Sequence, residues 1–333
     1  MSILAGPADL APLASQWETD IARRNAAEAE VLALRDALAD ATARIATFEA
    51  SAISGFMPGL VRPDKTNTGC DDRPKTAVAV PMTYSTPQVV WNTRFEDWVS
   101  VTSPGVIFIN CEGVGPLANP TASRGVFHAS NAAAAPTFIR CTVRPRQPHR
   151  LLSGIYGHHA TTIACNISGV VDGFGISNGT SDGGWRDYGS WIHDLFWFAP
   201  DPAHSDGHTH NDCIQFHTTA RNNQFYGTRL TATIDQSISA LGAPPLALSC
   251  VMANVSNPAD VLFDRVWAEN GDSLYNFGPT LTGTGNGFVI RNGVNDWQSS
   301  RLDVNVFAKA GLAITLAGNV DASGSPANMR TPS

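Results

Sequence analysis

The feature that most restricts the fold of this chain is a short segment that keeps returning. VIFINCEGV, TFIRCTV, TTIACNISGV, SWIHDLF, NQFYGTRL, VLFDRVWAEN and GFVIRNGV follow one another between residues 106 and 294. Each is a β-branched or aromatic strand running into a polar or Cys residue. The anchors Ile109, Ile139, Ile163, Ile192, Phe225, Phe263 and Ile290 recur at intervals within the roughly 20–50 residues typical of repeat architectures. Several units add a second strand, as in GVFHAS, LLSGIYG, DGFGIS, NDCIQFH and DSLYNFG. A unit of two short strands and variable loops cannot close its own core. It must stack on its neighbours, which predicts a parallel β-helix. Cys111, Cys141 and Cys165 hold one position in three successive units, so their thiols are expected to form an interior packing ladder rather than a redox or metal site. A β-sandwich also has many short strands, but it gives no reason for one residue type to return at matched places.

Composition agrees and removes several function classes. Twenty-nine Gly and 21 Pro in 333 residues, with 43% hydrophobic and 15% charged residues, describe a turn-rich folded chain able to bury a large core. The net charge of -7 and the lack of any Lys/Arg run argue against nucleic acid and anionic membrane as partners. No apolar run approaches the roughly 20 residues of a membrane helix. The start, MSILAGPADLAPLA, lacks a basic region before its broken apolar stretch, so a soluble protein made in the cytoplasm is expected. The six cysteines at 70, 111, 141, 165, 213 and 250 include no C-x-x-C pair. Reduced, mostly buried thiols follow.

Residues 14–50 differ from everything else. ASQWETDIARRNAAEAEVLALRDALADATARIATFEA contains no Gly or Pro, and both return at once in SGFMPGLVRP, which predicts a helix with a stop. Its apolar residues, Leu13, Trp17, Ala27, Val31, Leu34, Leu38, Ala41, Ile45 and Phe48, alternate by fours and threes with a break at Asp20 and Arg24. That is a heptad seam and predicts a coiled coil. A single amphipathic helix laid on the rest of the chain is the alternative, but such helices carry a broader apolar stripe.

RPDKTNTGC (62–70), the repeated coils, DGFGI, WIHDLF and HTHNDCIQFH together resemble a family of right-handed parallel β-helix proteins, pectate-lyase-like in fold. Its members occur in actinobacteria and as minor tail or tail-spike proteins of their phages. The resemblance covers roughly residues 60–300. It rests on a P-x-x-x-NTG-like lead-in, an IHD-like segment and an H-x-D-x-IQ-like segment. His193 and Asp194 fall on the second, and His210, Asp212, Ile214 and Gln215 on the third. Cys213 stands where many relatives have Gly. The resemblance implies a position-specific structural role for Asp212 and Gln215, and a three-fold virion assembly.

The cluster SDGHTHNDCIQFH (205–217) is the densest concentration of chemistry. With Ile214 and Phe216 inward, strand alternation directs Cys213, Gln215 and His217 outward. Ile192 inward likewise directs His193 outward. Asp172, Asp212 and Asp272 each precede a second strand and are expected on one face. Three readings stay open. Asp194, Asp206 and Asp212 are candidate catalytic carboxylates for glycoside hydrolysis. His208 and His210 with Asp206 or Asp212 are candidate ligands of a divalent metal such as calcium, although no cofactor is required. Alternatively, Asn211 and Asp212 cap turns and the histidines are a solvated loop. Lyase chemistry would also need a cationic base, for which Arg186 and Arg221 are the nearby candidates. His193, His208, His210, Gln215, His217, Trp185, Tyr188 and Trp197 are candidate glycan-binding residues, with Trp191 and Phe198 beside them, because aromatic faces stack on sugar rings.

The resulting expectation is an all-β right-handed parallel β-helix preceded by an α-helical coiled coil. Residues 1–55 are the attachment segment and coiled-coil helix, 56–103 the linker and lead-in, 104–320 the β-helix and 321–333 a frayed end. The function expected is a homotrimeric phage tail protein in the virion, joined to other tail proteins and binding host surface glycan. The alternatives are a glycan depolymerase, either hydrolase or lyase, and a purely structural tail component.

Overall fold

The computed structural model describes residues 7–54, 61–116, 120–129, 131–177, 184–217, 221–238, 247–253, 260–277, 287–296, 306–308 and 313–327, with side chains of the helix described only at 18–19 and 21–43, and those of 235–238 and 307–308 left out. Two compact units emerge, Met1–Arg44 and Ile45–Ser333.

Among the described residues one helix, α1 (Pro7–Ser54), begins in the first unit. Proline suits the first helical turn, where its missing N–H has no partner to lose, and Gly55 and Pro58 follow the last turn. Val31 and Leu38 of the heptad seam are 64% and 51% exposed, as Ile21 and Leu32 also largely are, whereas Ala41 is buried. Leu13, Trp17, Ile45 and Phe48 have side chains outside the described residues. Arg24 and Glu28 pair at 2.9 Å one turn apart on the helix surface. Among the described residues no helix is long and apolar enough to cross a membrane.

The second unit is a β-solenoid. Three nine-stranded sheets are present among the described residues, and the chain visits them in strict rotation. Sheet 1 runs from Thr76–Val78 to Val294–Asp296, sheet 2 from Met82–Tyr84 to Val306–Ala308, and sheet 3 from Gln88–Trp91 to Ile314–Ala317. Neighbouring strands are parallel throughout. The first coil therefore lies inside the stretch 56–103, read above as linker and lead-in. A separate parallel pair, Leu195–Phe198 with Ile234–Ile238, stands outside the three sheets.

One corner recurs from coil to coil. A connection of one or two residues links sheet 3 to sheet 1 and contains one residue with positive φ: Asn92, Asn110, Arg140, Ala164, Gly189, Gly227, Arg265 and Asn292, with Gly318 in the same conformation after the last strand of sheet 3. The left-handed conformation turns the backbone sharply without interrupting its stacking. Each such N–H, from Asn92 to Asn292, donates to the carbonyl one coil further on, as Asn110 does to Ile139 at 3.0 Å and Arg140 to Ile163 at 2.8 Å. Gly and Asn tolerate this region best. Arg265 occupies it with its guanidinium gripped in bidentate fashion by the buried Asp264 carboxylate, at 3.0 and 2.7 Å.

Cys111, Cys141 and Cys165 follow the left-handed residue directly, and all three are buried with free thiols. Each Sγ–H points at a carbonyl of the preceding coil, Val90, Phe108 and Phe138 respectively, at 3.5 Å. The thiol ladder is thus interior, and burial raises Cys141 well above the ordinary thiol range. Phe108 stacks on Phe138 with centroids 5.1 Å apart, and Phe225 on Phe263 at 5.0 Å, close to the spacing between strands.

The structure corrects four sequence expectations. Ile109, Ile139 and Ile163 align, but Ile192 belongs to sheet 1. Phe225, Phe263 and Ile290 align with Phe138 rather than Ile139, one residue earlier. Each coil has three strands, not two; the missing ones are the two-residue strands of sheet 1, such as Thr142–Val143 and Trp191–Ile192. Cys213 is buried rather than outward, with its Sγ toward the carbonyl of Ile192 in sheet 1.

The lead-in RPDKTNTGC is a strap over the outer face of sheet 1. Asp64 accepts from Thr66 N at 2.7 Å and Asn67 accepts from Asp64 N at 2.8 Å, which ties the turn. Gly69 N then donates to Ala164, Cys70 N to Thr142 Oγ1, and Asn166 to Thr68. Gly69 has φ +78°, and a Cβ there would lie 2.7 Å from Thr142 Oγ1 and 2.8 Å from Asn166 Cβ. Arg62 pairs with Glu269, and Arg229 reaches Pro63 O at 3.1 Å.

Phe138→Ala would open a cavity within the aromatic stack. Urea unfolding followed by circular dichroism should show a loss of about 3–5 kcal/mol.

Candidate functional site

The stretch 205–217 forms two different surfaces. Its first half belongs to a loop between Leu195–Phe198 and Asp212–Phe216; its second half is a strand of sheet 2.

The loop is anchored by buried polar groups. Asp201 accepts from Arg150 at 2.8 Å, Ala203 N at 3.0 Å and His204 Nδ1 at 3.1 Å. Asn211 donates to Val171 O and Phe196 O, and Thr209 joins Asn211 Oδ1 to Phe198 N. Asp206, His208 and His210 project from this frame, with His210 Nε2 at 2.7 Å and His208 Nε2 at 3.5 Å from Asp206 Oδ2. Desolvation opposes ionisation of Asp206, but the His210 hydrogen bond and both imidazoles outweigh it and hold its carboxyl below the usual range. Among the described residues these three are the His, Cys, Asp or Glu group whose ligand atoms all lie within 4.8 Å of one another.

Asp212 is not part of that cluster. It has no exposed surface, which removes it from surface catalysis and from the metal set. Its carboxylate lies inside the solenoid beside Asp172, whose Oδ1 accepts from Asp212 N at 3.2 Å. Ser249, one coil on in register, donates to Asp212 Oδ1, and among the described residues Asp212 Oδ2 has no hydrogen-bond partner. Burial pushes the Asp212 carboxyl up to about 7. Asp172 is raised well above the ordinary range by burial first and by the Asp212 charge second. Asp272 is also buried.

A further interior carboxylate escaped the sequence reading. Asp187 occupies the inward column of sheet 3 between Thr162 and Phe225. It accepts from the hydroxyls of Thr162 and Thr228 and from Ser190 N. Burial raises its pKa despite these donors.

His193 and Asp194 sit beside sheet 1. His193 Nδ1 lies 2.7 Å from Asp194 Oδ2, and Nε2 lies 3.1 Å from Asn166 Oδ1. The ring stacks on Trp191 at 3.7 Å, and Arg229 covers Trp191 at 4.7 Å. The His193 hydrogen bond is the main force lowering the Asp194 pKa. Asp194 has φ +49° and accepts from Thr233 at 3.3 Å, so both side chains brace a turn.

Of the candidate aromatics, Trp185 has no exposed surface, packs on Phe174 and donates to Thr162. Tyr188 is buried and stacked on Tyr226 at 5.5 Å. Neither offers a face to a sugar. Trp197 is also largely buried, with its ring 5.5 Å from His208. Arg186 is turned to Asn222, and Arg221 is exposed.

Gln215 does reach the outside. Register places it in one outer row of sheet 2 with Ser100, His128, Tyr156, Gly175, Met252 and Asn276. Tyr156 leans across Gly175, where a Cβ would meet its ring at 2.4 Å. Its ring lies 5.2 Å from His128 and 5.3 Å from His217. Desolvation lowers both imidazoles to about 4, so they are neutral. Beside the strand Val99–Val101, Arg124 covers Trp98 at 4.0 Å. Trp98, His128 and Tyr156 were missed because their alignment depends on loop lengths that strand patterns do not reveal.

No family model, curated protein or solved structure matches the chain.

The buried carboxyls set a pH dependence. A carboxyl whose folded pKa is raised to about 7 from an ordinary 3.9 keeps its proton in the native state while the unfolded chain has lost it. Stability therefore falls as pH rises between about 4 and 7. Thermal melts across that range should show a drop of about 2–4 kcal/mol, and Asp212→Asn should flatten it.

Proposed function

We propose that the chain is a phage tail protein of the tail-spike kind, in which copies associate through α1 and the outer row of sheet 2 binds glycan on the host envelope. The observation that carries this reading is the row itself. His128, Tyr156, Gln215 and Asn276 are partly exposed and bring aromatic, imidazole and amide groups together on a regular parallel sheet. Aromatic faces take the C–H faces of sugars, and amides and neutral imidazoles take hydroxyls. Sheet 1 offers less, because the 62–70 strap lies on it. The resemblance of the lead-in and of HTHNDCIQFH to β-helix tail proteins supports placement in a virion.

Association through α1 is supported by Val31 and Leu38, which a lone helix leaves in water. Apolar residues at alternating four and three spacing are satisfied by a second copy of the same seam. A trimer agrees with the resemblance. Hydrolysis is less favoured: Asp212 is sealed inside, Asp206 is engaged by two imidazoles and Asp194 by His193 and Thr233.

Tyr156→Ala should weaken binding to actinobacterial cell-wall polysaccharide at least about tenfold, equivalent to about 1.4 kcal/mol, in a pull-down or by interferometry. Unchanged binding would move the ligand face elsewhere, and no binding by the parent protein would leave a structural tail component. Sedimentation equilibrium should give three chain masses for the parent and one for Leu38→Glu, with the β-rich circular dichroism spectrum retained.

A further inference from the structure

We propose that Asp206, His208 and His210 form a binding site for one divalent transition-metal ion of the zinc class. The site does not depend on glycan binding or on a virion.

Three features of the loop support it. The first is donor chemistry. Two imidazole nitrogens and one carboxylate oxygen suit zinc, nickel or copper, whereas calcium takes six to eight oxygens. This distinguishes the site from the calcium considered on sequence grounds.

The second is geometry. Two ligands on a tetrahedral zinc, at about 2.0–2.2 Å from the ion, lie about 3.3–3.5 Å apart. Asp206 Oδ2 and His208 Nε2 are 3.5 Å apart, and Asp206 Oδ2 and His210 Nε2 are 2.7 Å apart. The second distance is a hydrogen bond that opens by well under 1 Å when the ion replaces its proton. All three groups are partly exposed, with side chains 34–45% accessible, leaving a fourth position for water or another ligand.

The third is the proton arrangement. His208 Nδ1 lies 3.1 Å from the carbonyl of Thr209, and a carbonyl only accepts, so Nδ1 carries the hydrogen. Nε2 is then the nitrogen that faces Asp206 Oδ2, 3.5 Å away, and the one that can ligate an ion held between them. Fixing one ring nitrogen on a carbonyl so that the other can ligate is the usual support of a metal-binding histidine. Thr209 supplies the carbonyl from a buried, hydrogen-bonded position between the two histidines. Asp201 and Asn211 fasten both ends of the loop, so little ordering cost remains when an ion binds. His204, whose ring is 4.2 Å from that of His210, has Nδ1 committed to Asp201.

The test is isothermal titration of the untagged, chelator-stripped full chain with zinc chloride, and with cobalt chloride for its visible absorption. One zinc per chain is expected, with cobalt bands showing nitrogen and oxygen ligation and no thiolate charge-transfer band. Calcium chloride should not displace either ion. His208→Asn and His210→Asn should each weaken zinc binding at least about tenfold, while a distant control, His158→Asn, should not. Circular dichroism should show all variants folded, since the substituted side chains lie partly in solvent. Absence of stoichiometric zinc binding, equal binding by the doubly substituted His208→Asn/His210→Asn chain, or displacement by calcium would overturn the assignment.

Discussion

The backbone hydrogen bonds from coil to coil, made in register at the short left-handed corner, are what everything else in the second unit depends on. Because Asn110 N reaches Ile139 O and Arg140 N reaches Ile163 O, each side chain has a fixed neighbour one strand spacing above and another below. The interior is therefore organised by columns, not by coils. Phe108 meets Phe138 and Phe225 meets Phe263, and a residue that breaks its column must find its partner in the next coil. Asp187 does so with Thr162 and Thr228, and Asp212 with Ser249. Where the partner serves only part of the group, as at Asp212 Oδ2, low local polarity favours the protonated acid.

Part of this was legible in the sequence. The recurrence of Cys after Ile at 111, 141 and 165 identified a stacked repeat, because only in-register coils give like residues a reason to coincide. The strands of sheet 2 were visible as GVFHAS, LLSGIYG and DGFGIS. The strands of sheet 1 were not, since pairs such as Thr142–Val143 are too short to show periodicity. Ile192 was assigned to the wrong sheet for the same reason: it is apolar, as an inward residue of any of the three sheets would be.

The candidate site was half legible. The density of His and Asp in 205–217 pointed to the loop, and the Asp206, His208 and His210 group is found there. Asp212 could not be distinguished from Asp206 by residue type, yet the strand begins at Asp212, which turns one carboxylate inward and leaves the other in water. Trp185 and Tyr188 misled in the opposite direction. Aromatics next to a polar loop resembled a platform, but sheet 3 takes them in as packing for Phe174 and Tyr226.

The short left-handed corner also divides the solenoid's three edges into unequal kinds. Along the edge between sheets 3 and 1 every described connection is one or two residues long and carries one left-handed residue, so that edge acts like the spine of a book, where an inserted segment would break the stitching of adjacent pages. The other two edges carry connections of very different length, among them the loop that holds His208 and His210. New segments, natural or engineered, are accommodated along those two margins, and the protein can change what it presents to its surroundings without disturbing the binding that holds it together.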